Sequence, residues 1–198
     1  MKLDKPLILA SQSPRRQEIL TLAGLEFTVH PAEGEWAPAE LPPSDRVCAL
    51  ARSKAEQIAP LHPNSYVLGS DTMVVLGDVA LGKPKDDADA IRMLMSLENR
   101  SHQVMTGVWL METDAVGTIV KCNGFTDVAT VDFWRFSRAE AEEYVATGEP
   151  KDKAGAYAIQ GKGMRFVKGI CGDFYTVMGL PGGRLLRFFE EFISQTEK

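Results

Sequence analysis

Short apolar runs alternate with polar breaks rich in glycine and proline, and their spacing predicts strands alternating with helices. Leu7-Ile8-Leu9-Ala10 is a run of buried-strand type that ends at Ser11-Gln12-Ser13-Pro14. Arg15 to Ala23 then reads as a helix, with Ser13 as N-cap, Pro14 at its first position and Gly24 as its stop. Phe27 to Val29 predicts a second strand, broken by Pro31. Beyond Pro38, Pro42 and Pro43, a helix begins at Ser44 or Asp45 and runs through Ala59, with Val47, Leu50 and Ala51 on its apolar face. Tyr66 to Leu76 reads as a mostly apolar strand with one acid, Asp71, in its middle, and Gly77-Asp78 is a hairpin signal. Leu81-Gly82-Lys83-Pro84 then leads to a helix from Asp87 to Leu97.

The second half opens with a strand from His102 to Met111. Phe125 to Phe136 alternates, with Val128, Thr130, Asp132 and Trp134 on one parity. Ser137-Arg138-Ala139-Glu140 is a capping-box pattern whose helix ends near Ala146, before Gly148 and Pro150. Glycines from Gly161 to Gly179 punctuate short strands and turns, and Pro181 starts a closing helix through Phe192. The class is α/β. With no repeat period and no low-complexity linker, residues 1–198 are expected to form a single domain.

Composition narrows the partners. The chain has 198 residues, 44% hydrophobic and 25% charged, which excludes disorder and fibrous repeats. No apolar run approaches the roughly 20 residues that span a bilayer, so no membrane partner and no secretory signal are expected. A net charge of -5 disfavours a nucleic acid polymer, while a small anion needs only a few convergent cations. Cys48, Cys122 and Cys171 are widely spaced and read as reduced, buried thiols of a cytoplasmic protein. His30, His62 and His102 are scattered, and no zinc-ligand spacing appears.

Within this frame a few residues can carry chemistry. Ser11 to Arg16 lies on a strand-to-helix loop, where free N–H groups, the helix dipole and the forked donors of Arg15 and Arg16 suit a phosphate. The competing reading is a solvated first turn, since the Walker pattern is absent. Asp71 is costly inside an apolar strand unless it ligates a cation or sits at the open end, and the competing reading is a structural acid that caps backbone N–H groups or pairs with a lysine. Thr72 beside it is either strand-forming or a hydroxyl for a base or sugar. Lys83 stands on a turn, Lys54 reads singly as a solvent-facing helix lysine, and Glu35 as a loop acid. Gln160 sits in Ile159-Gln160-Gly161-Lys162-Gly163, and Asp152 with Lys153 reads as a solvated pair. Trp36, Trp109 and Trp134 read as packing residues, with Trp36 also a candidate to line a base pocket. His102 reads as a core or surface histidine.

Taken together, these segments resemble the Maf family of nucleoside triphosphate pyrophosphatases. The resemblance runs from Leu7-Ile8-Leu9-Ala10-Ser11-Gln12-Ser13-Pro14-Arg15-Arg16 to Val177-Met178-Gly179-Leu180-Pro181. Between them lie Gly69-Ser70-Asp71-Thr72, Gly82-Lys83-Pro84, the Gly148 to Gly155 loop and Ile159-Gln160-Gly161. It implies an extended, twisted mixed sheet flanked by helices, two lobes around a central cleft, in the Maf/Ham1-like, ITPase-like manner. It also implies hydrolysis of a nucleoside triphosphate between its α and β phosphates with a divalent cation, Mg²⁺ or Mn²⁺. Asp71 takes the family's proton-acceptor position, and Ser11, Arg15, Arg16, Glu35, Lys54, Lys83 and Gln160 fall on its other site positions. Glu35 and Asp71 would share metal and water duties. Arg15, Thr72 and Gln160 are the trio beside the base, and they look like the dTTP/UTP-directed branch rather than the branch acting on 7-methyl-GTP. Trp36 stands where relatives often carry a second acid, and Asn99 where glycine is usual. The resemblance further implies a homodimer and a cytoplasmic house-cleaning role, with a link to arrest of septum formation. Two other readings stay open: a pyrophosphatase for purine or modified nucleotides, and a non-catalytic nucleotide-binding regulator of septum formation.

Overall fold

A computed structural model describes residues 2–194 of the chain. The all-apolar run Leu7–Leu9 forms strand β1, and all three of its side chains are buried. It pairs in parallel with β2 (Thr28–Val29) and with β3 (Tyr66–Leu76), in the register Leu7 to Tyr66 and Leu9 to Leu68. A strand covered on both faces shows no alternation, which is why β1 and the start of β3 read as continuous apolar runs. The later elements are β4 (Val79–Leu81), β5 (Ser101–Thr113), β6 (Ile119–Phe133) and β7 (Val167–Cys171). The strand order is β2-β1-β3-β5-β6-β7, with β4 paired to β3. Parallel pairs at β1 and antiparallel ones at β4 and β7 make the sheet mixed, as the resemblance implies.

The helices are α1 (Pro14–Leu22), α2 (Pro43–Ile58), α3 (Asp87–Leu97), α4 (Arg138–Val145), α5 (Phe174–Met178) and α6 (Gly182–Ser194). Single 3-10 turns lie at Ala59–Leu61, Glu149–Asp152, Ala154–Ala156 and Lys162–Phe166. None of the described helices is long and apolar enough to cross a membrane. The chain divides into two compact units, one of Met1–Asp71, Thr106–Asp127 and Gly179–Lys198, the other of Thr72–Met105 and Val128–Met178.

In the first unit α2 turns Val47, Ala51, Ala55 and Ile58 inward, and Ala55 and Ile58 meet Ile8, Val67 and Met111 in one apolar cluster. Two glycines permit this close seat. A Cβ on Gly69 of β3 would lie 2.0 Å from the Ala51 carbonyl oxygen, and one on Gly107 of β5 would lie 2.4 Å from that of Val47. The helix backbone therefore rests directly on the strands.

The second unit keeps its expected turns. Val79 pairs with Leu76, leaving Gly77 (φ +60°) and Asp78 as the hairpin. Asp86 caps α3 by accepting the Asp89 N–H at 2.7 Å, and Ser137 with Glu140 forms the complete capping box on α4. Asn99, where the resemblance expects glycine, has φ +53°, a left-handed conformation that asparagine tolerates. Ala129, Val131 and Phe133 of β6 are buried while Val128 and Trp134 are exposed, so the alternation holds. Phe133, Phe136, Tyr144, Tyr157 and Phe166 fill the core of this unit.

Several expectations change. β6 begins at Ile119 rather than Phe125, because residues 119–127 bury no full face that would give a period of two. Ser13 occupies the N-cap of α1, yet its side chain makes no capping bond. Cys122 and Cys171 are exposed and Cys48 half-buried, so the thiols are not core residues. Trp36 and Trp134 are exposed rather than packed, and Trp109 is half-buried with the Arg52 guanidinium 5.3 Å from its ring. His102 is a core histidine. Its Nε2 lies 2.8 Å from the Tyr157 hydroxyl, and burial pushes its pKa down to about 4, so it is neutral at pH 7. His30 and His62, far apart in sequence, meet edge to face with ring nitrogens 2.6 Å apart.

Candidate active site

The charged cluster of the first unit follows from the seat of α2 on β3. Gly69 brings the helix backbone onto the strand between Ala51 and Ala55, and Lys54 lies between those two on the helix. Asp71 lies two residues beyond Gly69, on the same face of the strand by its pleat. The Lys54 ammonium accordingly reaches Asp71 Oδ1 at 2.6 Å and the Ser70 carbonyl oxygen at 3.4 Å. It also pairs with Glu35. Only 15% of the Lys54 side chain is exposed, so the lysine that reads as solvent-facing in sequence is an inward-turned bridge between two carboxylates.

Glu35 comes from a loop, and the loop is tied down. The Gln57 amide donates to the Gly34 carbonyl at 3.2 Å, and the Trp36 N–H donates to the Ser53 hydroxyl at 3.2 Å. Both anchors stand on α2, Ser53 next to Lys54 and Gln57 about one turn beyond it. The loop therefore delivers its acid to the same ammonium that meets Asp71.

Ser11 and Arg16 form a second, adjoining group. Arg16 is buried and donates from Nη1 to Ser11 Oγ at 2.8 Å and from Nε to the Gly179 carbonyl at 2.9 Å. Ser70 Oγ donates to that same carbonyl at 3.1 Å. Burial lowers the Arg16 pKa; the charges of Asp71 and Glu35 oppose this, and that of Arg15 adds to it. Ser11, Arg15, Arg16, Glu35, Lys54 and Asp71 thus belong to one electrostatic neighbourhood. Arg16 acts there as a strut behind Ser11, with two of its donors committed to protein oxygens. The Gly179 carbonyl that receives both Arg16 and Ser70 had no signal in the sequence beyond the glycine itself.

The second unit holds Thr72, Lys83 and Gln160. Thr72 follows Asp71 directly on β3 and is half-buried. Lys83 is exposed on the turn after β4, whose preceding carbonyl, that of Gly82, accepts the Gly155 N–H at 3.0 Å. Gly155 has φ +68°, and a Cβ there would lie 2.9 Å from Val74, so glycine is what allows this approach. Gln160 is exposed between the last two 3-10 turns. Lys153 pairs with Asp152 but is mostly covered, unlike the solvated pair its sequence suggests.

Among the described residues no group of three or more histidine, cysteine or acidic side chains is arranged to hold a metal ion. Two carboxylates are nonetheless a fitting donor set, because Mg²⁺ and Mn²⁺ take hard oxygens and often complete their shell with substrate phosphates and water. Glu35 and Asp71, already drawn to one positive centre, are the pair that suits such an ion.

The family model described as Maf-like protein matches residues 6–192. The chain belongs to the Maf-like protein family. Among curated Maf relatives, the dTTP/UTP pyrophosphatase of Bacillus cytotoxicus is 47% identical over 191 residues, covering 96% of this chain and 97% of that protein. The dTTP/UTP pyrophosphatase of Bacillus pumilus is 43% identical over 187 residues, covering 94% and 96%. Among solved structures, the Ham1 protein of Staphylococcus aureus aligns with a TM-score of 0.46 at 15% identity, over 65% of this chain and 72% of that one.

Proposed function

We propose that this Maf protein hydrolyses dTTP and UTP to the nucleoside monophosphate and pyrophosphate. The observation that carries the reading is the Lys54 ammonium shared by Glu35 and Asp71 beside the Ser11–Arg16 loop. The choice of substrate rests on relatives of 43–47% identity that bear the name dTTP/UTP pyrophosphatase. The trio Arg15, Thr72 and Gln160 agrees with that choice.

In this reading a water oxygen attacks the α-phosphorus as the bond from that phosphorus to the oxygen bridging the α and β phosphates breaks, and pyrophosphate leaves. Asp71 accepts the proton of the attacking water, and Lys54 holds the Asp71 carboxylate in place by the ion pair already formed. Glu35 and Asp71 would hold the divalent cation. When bound, that ion would lower the pKa of the water and offset phosphate charge. Arg15 and Lys83 bind phosphate oxygens, Ser11 offers its hydroxyl, and Arg16 keeps Ser11 in position. No covalent intermediate is needed, since positioning and charge stabilisation account for most phosphoryl-transfer catalysis. The Gln160 amide both donates and accepts, which matches the carbonyl and N–H edge of uracil or thymine, whereas glutamate there would lack the donor. Thr72, the residue after Asp71 on β3, supplies a hydroxyl for the sugar or base.

The reading places the protein in the cytoplasm, on the free nucleotide pool, and as a homodimer, which sedimentation of the full chain tests. The activity itself is tested by incubating the protein with a panel of triphosphates, with and without chelator, and measuring pyrophosphate. Metal-dependent release from dTTP and UTP ahead of GTP and ATP is expected. Binding without release would replace the enzyme with a nucleotide-binding regulator.

A further inference from the structure

The segment that presents Gln160 contains no regular helix or strand, yet one buried-edge acid gathers it. Glu149 Oε1 accepts the Tyr144 hydroxyl at 2.8 Å and the Gly163 N–H at 3.0 Å, while Oε2 accepts the Lys162 N–H at 2.9 Å. The same Tyr144 hydroxyl accepts the Ala158 N–H at 3.1 Å. Ala158, Lys162 and Gly163 bracket Gln160 on both sides, so a carboxylate and a phenol hold both ends of its turn. Gly161 completes the fit, because a Cβ there would lie 2.6 Å from Glu149 Oε2. Tyr144 is itself fixed, buried on α4 with its ring 5.2 Å from that of Phe166.

Charge makes the brace stronger than neutral bonds would. Burial raises the Glu149 pKa, but the Lys162 N–H, the Tyr144 hydroxyl, the Gly163 N–H and the Lys153 charge together hold it below the ordinary carboxylate value. An ionised carboxylate accepts these bonds with roughly twice the strength of a neutral acceptor. The Tyr144 pKa is raised, first by burial and then by its bond to Glu149, so the phenol remains a donor.

We propose that Glu149, with Tyr144, is a positioning residue that sets base selectivity by fixing the turn bearing Gln160. This rests on the reading of Gln160 as the base-facing amide. Glu149 touches neither phosphate nor water in this scheme. Its loss should therefore be felt in recognition of the base rather than in the hydrolytic step. A side chain that must match a base edge to within hydrogen-bond tolerance loses that match when its backbone wanders.

The test compares Glu149→Gln, Tyr144→Phe and Gln160→Ala in the full protein. Glu149→Gln retains one acceptor oxygen and cannot receive all three bonds. Its ratio of kcat/KM for UTP over GTP should fall by about tenfold, the weight of one charged hydrogen bond, mainly through the KM for UTP. Tyr144→Phe should fall in the same direction by less. Amide exchange at residues 158–163 should quicken in Glu149→Gln while that of α3 is unchanged. Adding Glu149→Gln to Gln160→Ala should produce no further fall in the ratio. Unchanged exchange, or an unchanged ratio where Gln160→Ala lowers it, overturns the proposal. An equal fall of kcat for both nucleotides also overturns it, since that is what a merely structural role produces. If Gln160→Ala itself leaves the ratio intact, the base-reading role of Gln160 is wrong, and Glu149 is overturned as a selectivity residue with it.

Discussion

Lys54 and Asp71 stand on a helix and a strand of the first unit, whereas Lys83 and Gln160 of the second stand on turns. The first pair needs little besides its elements: Gly69 and Gly107 let α2 rest on the sheet, and the ion pair follows from that contact. The turn residues need dedicated backbone anchors, the Gly155 N–H for the turn of Lys83 and the Glu149 carboxylate for that of Gln160. Groups that must hold a fixed geometry through bond breaking gain from rigid elements, while groups that recognise a ligand can be placed on turns if those turns are braced.

The largest expected effect breaks the rigid half chemically. Asp71→Asn removes the proposed proton acceptor and half of the Lys54 bridge while keeping the volume. kcat for UTP should fall by about 10²- to 10⁴-fold, the usual worth of a positioned general base, with UTP binding retained. Steady-state pyrophosphate release together with titration calorimetry reads both quantities. A near-normal kcat would remove Asp71 from the chemistry and leave Lys54 as a structural ion-pair partner.

Next comes the seat of the helix itself. Gly69→Ala places a methyl 2.0 Å from the Ala51 carbonyl, which is backbone and cannot swing aside. A loss of about 3 kcal/mol is expected, at the upper end for overpacking, read as a lower urea midpoint. Gly82→Ala, on the turn before Lys83, meets no atom within 4 Å and should change stability by less than about 0.5 kcal/mol. Similar losses at both glycines would erase the distinction between the two regions.

These contrasts also explain what could be read in advance. β1, β3, β5, α3, the hairpin at Gly77-Asp78 and the capping box at Ser137 were legible because local periodicity and turn chemistry decide them, whereas the start of β6 was not, since residues 119–127 bury no full face. Asp71 stood out because an acid interrupts an apolar strand. Lys54 gave no such signal: its inward turn depends on how closely α2 approaches Gly69, a tertiary fact that helical periodicity does not carry. The role of Arg16 as a strut was hidden for the same reason, since its partner is the carbonyl of Gly179, far along the chain. Glu149 reads as one acid among many in a turn-rich loop, because backbone N–H groups, its main partners, are invisible in a sequence.

Acid should weaken the braced half in a defined direction. The folded-state pKa of Glu149 lies below its ordinary value, so its stabilising contribution is complete above that value and is lost as pH falls through the folded one. Glu149→Gln should therefore be less stable than the parent at pH 7, with the gap closing as pH is lowered to about 4 and below, because only the parent loses a charge there. Urea midpoints of the two proteins across that range measure it. A gap that widened in acid would mean that Glu149 is not ionised in the folded protein.

The smallest effect probes what lies beneath the brace. α4 carries Tyr144, and its start is fixed by Ser137 accepting the Glu140 N–H at 3.3 Å while the Glu140 carboxylate receives the Ser137 N–H at 2.8 Å. Ser137→Ala removes one side of that box and should cost about 1 kcal/mol, a shift of a few degrees in Tm. Tyr144 lies near the other end of the helix and is held independently by Phe166, so fraying at Ser137 should not reach it. The UTP over GTP ratio should then be unchanged while Tm falls. A ratio that fell with Tm would show that selectivity draws on the whole of α4, and that the brace extends beyond Tyr144 and Glu149.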